Sequence, residues 1–166
     1  AAGLALHPED PTRLKLDVKV LVLTVGAFKS SSEVEEMAQL ALTQNLPAYA
    51  KAAIEAGYKS KLLSDGSAKD KQLLATATSR AATEKVSAND EADARSQKTG
   101  ESLVRLGAVV ASYGNHAHAI QLYKEGLAKG GIAQTQDAKL HLGVAQILSG
   151  DKAAGQATLG GLTAGD

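Results

Sequence analysis

The chain has 166 residues, enough for one domain with a real core, and 44% of them are hydrophobic. Its 18 basic and 18 acidic side chains cancel, so no broad basic field draws it to nucleic acid or to an anionic membrane surface. It has no Cys and no Trp, which removes disulfides, thiol chemistry and Cys-based zinc sites and leaves few rings on which bases would stack. The longest apolar run, near Val18–Phe28, is interrupted by Lys19, Thr24 and Gly26. It falls well short of the ~20 residues that span a bilayer, so no membrane insertion is expected. The chain starts at Ala1 rather than Met, which suggests a piece of a longer protein that has lost an export signal.

In chain order, residues 1–10 read as an extended lead-in. Asp10-Pro11 suits a helix start, with Asp10 as N-cap and Pro11 in the first turn, where its missing N–H costs nothing. The following run, RLKLDVKVLVLTVGAF, carries conflicting signals. Its Val residues and the alternation of Lys15, Asp17 and Lys19 favour a strand. The chain offers no second strand to pair with it, and an unpaired strand is unstable. A helix over about 11–25, ended by Gly26, is therefore predicted.

Ser32-x-x-Glu35 predicts a capping box ahead of a helix running to about Gln44, and Leu46-Pro47 opens another to about Tyr58. Val34, Met37, Ala38 and Ala41 form the inner stripe at helical spacing. Residues 65–99 differ, being rich in Ala, Lys, Thr and Ser with few large apolar groups. Asp65-Gly66-Ser67 reads as a turn, and Ser67-x-x-Asp70 as a helix cap. A single helix of ~30 residues here would part its ends by ~45 Å and invert every later helix. Two helices breaking near Ser87–Asp90 are therefore predicted, with one long helix as the alternative. The thin apolar content predicts that amides in 68–98 exchange faster than those in 101–129. Helices of about 101–113 and 116–129 follow, terminated by Lys129-Gly130-Gly131. Thr135–Ser149 and Asp151 to about Leu162 make the last pair.

One pattern recurs along this series. Leu106-Gly107, Gly114, Ala119 and Tyr123 have counterparts at Leu142-Gly143, Gly150 and Gly155, and at Met37-Ala38, Asn45, Ala50 and Ile54. Small residues at such positions let antiparallel helices approach to about 8–10 Å, so core packing accounts for all of them. A repeat of roughly 34 residues, or about twice that, marks a helical solenoid. At these residues the chain resembles the tetratricopeptide repeat family. The run AKLHLGVAQ adds a likeness to bacterial, often exported, members. Two features depart from the family: Val34 and Leu103 stand where a large aromatic is common, and the Pro usual at a repeat end is missing.

The resemblance implies an all-α, right-handed helical-hairpin solenoid of about seven or eight helices in one domain over 1–166, itself part of a longer array. It comprises an orphan helix at 11–25, repeats at 31–64, 100–133 and 136–166, and a degenerate repeat or long helix at 65–99. It also implies a non-catalytic scaffold that holds a peptide or partner protein on its concave face. That face carries over to Glu35, Gln39 and Leu42, to Val104, Ala108 and Ala111, and to Leu140, Val144 and Ile147. Arg105 is the one cation nearby, so no clamp for a C-terminal carboxylate is expected, and the apolar face suits a helical ligand. The alternative is a self-assembly module of a larger cell-envelope protein, with homo-oligomers and a periplasmic or envelope location.

No catalytic, cofactor or metal site is expected. His116 and His118 are two apart and point to different faces of a helix. His141 has no carboxylate at ligand spacing in the sequence, and solvated or capping roles account for these histidines. Glu33, Glu35 and Glu36 suit a helix N-terminus electrostatically. Gly130-Gly131 and Gly160-Gly161 lack the Lys-Ser/Thr of a phosphate loop, and neither Gly-x-Ser-x-Gly nor His-Glu-x-x-His occurs.

Overall fold

The computed structural model describes residues 12–84 and 86–162, and every regular element among them is an α-helix. The helix start at Asp10-Pro11 and the lead-in before it lie outside the described residues. The ambiguous first segment is helix α1, Thr12–Thr24. Leu16 and Val20, one turn apart, are each only 3% exposed, and Gly26 takes a left-handed φ of +65° just past the helix end. Burial of a helical stripe overrides the β preference of its Val residues, as the lack of a pairing strand requires.

Helices α2 (Ser31–Thr43) and α3 (Pro47–Lys59) form the first hairpin. The N-cap sits two residues earlier than expected, at Ser30. Ser30 Oγ accepts from the Glu33 N–H at 3.3 Å, and the Glu33 carboxylate accepts from the Lys29 N–H at 2.8 Å. Both Ser-x-x-Glu spacings occur in the sequence. The earlier one frees Glu35 to pair with Lys69 across the helices while Val34, Met37, Ala38 and Ala41 stay fully buried. Pro47 opens α3 in its first turn, where a missing N–H is harmless.

The 65–99 segment is two helices, α4 (Ala68–Thr83) and α5 (Ala88–Ser96), broken at 84–87. Ser67 caps α4 through the Asp70 N–H, and Ser87 and Asp90 make a reciprocal capping box for α5. The two helices do not pack on each other: α4 lies on α3, and α5 on α6. Arg80 of α4 donates to the Leu42 carbonyl at 3.2 Å and to Asn45 Oδ1 at 2.7 Å, so α4 grips the α2–α3 turn. Helix α5 buries one apolar side chain, Ala94. Its other ties are polar: Arg95 to Glu125 at 2.8 Å, exposed, and Glu91 to His118 at 3.1 Å, half-buried. Such pairs contribute little in water. Amides of 88–96 are therefore expected to exchange well ahead of those in 101–129, with 68–83 between them, in a segment-resolved hydrogen-exchange measurement. Equal protection of 88–96 and 101–129 would show that apolar burial does not set local stability here.

Helices α6 (Glu101–Ser112) and α7 (His116–Lys129) form the second hairpin, and α8 (Thr135–Leu148) and α9 (Lys152–Gly160) the third. The sequence repeat is visible as repeated geometry. Asn45, Gly114 and Gly150 all adopt positive φ, at 57°, 83° and 98°, in the turn between the two helices of a hairpin. Gly107 lies beneath the Tyr123 ring, where a Cβ would come within 2.7 Å of Cε1. Gly143 lies likewise beneath Leu159, where a Cβ would come within 2.7 Å of Cδ2. The small residue of the first helix thus seats the large residue of the second, and in the third hairpin Gly143 also meets its small counterpart, since a Cβ at Gly155 would come within 2.8 Å of the Gly143 carbonyl oxygen.

Nine helices occur among the described residues, against seven or eight expected, and 65–99 contributes the two helices predicted for it. The three hairpins are compatible with a helical-hairpin solenoid. One feature was not legible beforehand: α1 returns to pack on α8. Leu16 and Val20 join Leu140, Val144 and the α2–α3 stripe in one apolar cluster. A second cluster holds Leu103, Ala119, Leu122, Tyr123, Ala138 and Leu142.

Candidate functional site: a cavity walled by α1, α6 and α8

The docking of α1 leaves a cavity of about 570 Å3 between it and the hairpins. The Leu16, Asp17 and Val20 side of α1 makes one wall, and Val104, Ala108 and Ala111 of α6 another. His141, Val144, Ala145 and Leu148 of α8 close a third side, with Tyr49 of α3 and Tyr123 of α7 also facing the space. Asn45, Thr83, Asp90, Glu101 and Arg105 are exposed and form its mouth.

Of the ten expected concave-face residues, Val104, Arg105, Ala108, Ala111 and Val144 line this cavity. Leu140 is buried in the cluster that holds Leu16 and Val20. The other four lie elsewhere. Glu35 is ion-paired with Lys69 of α4, Gln39 is exposed, and Leu42 offers its carbonyl to Arg80. Ile147 packs at Gly155 of α9, where a Cβ would come within 2.5 Å of its Cγ1.

The polar members were missed by sequence reasoning. Asp17 is 8% exposed, and its Oδ1 lies 2.8 Å from His141 Nδ1, joining residues 124 apart in the chain. His141 is thus neither a cap nor a freely solvated ring: it ties α8 to α1 and sits tilted against Tyr123, with ring centroids 6.0 Å apart. His118 similarly bridges to Glu91. The signal that hinted at this was an acidic residue between apolar neighbours on α1, Leu16-Asp17-Val18. In the sequence it presents itself as strand alternation with Lys15 and Lys19.

Burial, reinforced by the charge of Asp17, pushes the Tyr49 hydroxyl well above its ordinary range. Burial does the same to Tyr123, with Tyr49 and Asp17 adding to it. Both phenols are therefore neutral hydrogen-bonding groups at any physiological pH. Burial also raises the Glu84 carboxyl, against an opposing pull from Arg80. Among the described residues, Asp17 Oδ2 and Glu84 Oε2 are buried oxygens without a hydrogen-bond partner. No group of three or more potential metal ligands occurs among the described residues, and no helix there is long and apolar enough to cross a membrane. The arrangement is suited to holding a ligand by shape, apolar contact and charge. Comparison of the chain with family models, with curated proteins and with solved structures gave no match.

Proposed function

We propose that this chain is a non-catalytic interaction module of the tetratricopeptide repeat type, which holds a helical segment of a partner protein on its inner face. The observation that carries this reading is the seat of α1. A helix with Leu16 and Val20 on one stripe is accepted by the face that presents Leu140 and Val144. Groove recognition of this kind uses apolar anchors at helical spacing, as α1 supplies. In this reading α1 is the resident of the groove, and a partner helix takes its place.

The test uses a fluorescent peptide of the α1 sequence, residues 12–24, titrated into the full chain and followed by anisotropy. A Val20→Asp chain, whose own α1 is loosened, is expected to bind the peptide saturably, whereas the unaltered chain binds it poorly. Adding Leu140→Asp is expected to remove the binding. Failure of the peptide to bind the Val20→Asp chain would overturn the reading.

A second reading is self-assembly by exchange of α1 between copies. It is favoured by the linker after α1, where Val25 is 74% exposed and Gly26 holds a turn that a modest rotation would open. Sedimentation across protein concentration separates the two, because exchange produces a dimer that forms without any added ligand.

A further inference from the structure

We propose that the cavity beside α1 is a binding site for a small organic cation, an ammonium or amidinium group carried on an apolar body. The inference does not depend on a partner helix, because it concerns the space that remains when α1 is docked. At about 570 Å3 that space falls within the range of small-molecule pockets. Its walls supply apolar contact from Leu16, Val20, Val104, Ala108, Val109 and Leu148.

Its polar groups are unbalanced in charge. Among the described residues four carboxylates line it, Asp17 and Glu84 inside and Asp90 and Glu101 at the exposed mouth, against one guanidinium, Arg105, also at the mouth, and the His141 ring beside Asp17. Three of the four carboxylates are already occupied in part. Asp17 Oδ1 pairs with His141 Nδ1, Asp90 accepts from the Ser87 N–H and Oγ, and Glu101 accepts from the Ala133 N–H. Asp17 and Glu84 each keep a buried oxygen with no donor among the described residues, Asp17 Oδ2 and Glu84 Oε2. A buried carboxylate oxygen left without a donor is costly, and a cation with N–H groups answers both the missing hydrogen bond and the missing charge. Burial raises the Glu84 carboxyl despite the opposing pull of Arg80, which agrees with a carboxylate whose charge is only partly compensated. Tyr49 and Tyr123, held neutral, add ring surface of the kind that attracts cations. An anionic ligand would meet the reverse conditions, and a neutral one would leave both oxygens unpaired.

The experiment titrates the full chain with benzylammonium and, separately, with benzyl alcohol, a neutral molecule of nearly the same shape. Binding is followed by calorimetry and by the shifts of Ala108 and Val144 methyl signals. Benzylammonium is expected to bind at a single site at least about tenfold more tightly than the alcohol, the value of one charge-assisted hydrogen bond. Glu84→Gln, on a partly exposed connection that tolerates change, is expected to weaken the ammonium about tenfold and leave the alcohol unaffected. Asp17→Asn is expected to do the same if α1 stays docked, which the methyl signals of Val20 report. Equal affinity for ammonium and alcohol, no saturable binding of either, or an ammonium affinity unchanged by Glu84→Gln would each overturn the proposal.

Discussion

Replacing Gly100 by Ala is expected to destabilise the fold by about 3 kcal/mol, at the upper end for a single added methyl group. The added Cβ would stand 1.9 Å from the carbonyl oxygen of Gly126 and 2.6 Å from its carbonyl carbon. These are backbone atoms inside α7, so no rotamer change relieves the clash. The start of α6 would have to move off α7, breaking the 2.7 Å bond from the Gly100 N–H to the Gly130 carbonyl and opening the second apolar cluster. Gly160→Ala is the matched control. Nothing lies within 4 Å of its Cβ position, and Gly160 is helical. There the change is expected to gain up to about 1 kcal/mol, because Ala loses less backbone entropy in a helix. Urea midpoints for the two variants check both signs. A Gly100→Ala chain as stable as the parent would mean that α6 and α7 are not in contact at this point.

The second large effect is expected at Val20. Val20→Asp places a carboxylate in the cluster formed with Leu16, Leu140 and Val144, where Val20 is 3% exposed. A buried charge without a partner is expected to cost about 3 kcal/mol or more, unless the helix that carries it leaves. Helix α1 is joined to α2 by the exposed Val25-Gly26 turn, so leaving is the easier course. Amides of 15–24 are expected to lose protection by about two orders of magnitude, as that free energy implies, while those of α6 and α7 keep theirs. Val25→Asp, five residues on and 74% exposed, is expected to stay within about 0.5 kcal/mol of the parent. Global unfolding in the Val20→Asp chain would show that α1 is integral to the core rather than seated on it.

Much of the fold was legible in the sequence because the signals were local. Leu46-Pro47, Ser67-x-x-Asp70 and Lys129-Gly130-Gly131 each act on their own helix end and each marked a true boundary. The turn positions Asn45, Gly114 and Gly150 were marked by a residue tolerant of positive φ. The cap at Ser30 was missed because two Ser-x-x-Glu spacings overlap, and only packing of the α2 stripe chooses between them. The site was less legible, because it depends on a contact between residues 124 apart, Asp17 and His141. Nothing in the α1 sequence says that it folds back on α8. Val104, Ala108 and Ala111 of α6, which the family resemblance placed on one face, line the cavity, whereas Glu35 and Leu42 are drawn away by α4, whose Lys69 and Arg80 engage them through polar groups that no hydrophobic pattern records.

The face of α8 that presents Leu140 and Val144 is covered by this chain's own helix α1. Methyl-selective NOE spectroscopy of the full chain tests it most directly. Cross-peaks joining the methyls of Leu16 or Val20 to those of Leu140 or Val144 are expected, with a contact from the His141 ring to the Asp17 β-protons beside them. A spectrum in which α1 is helical yet shows contacts to α2 and α3 alone would contradict the account.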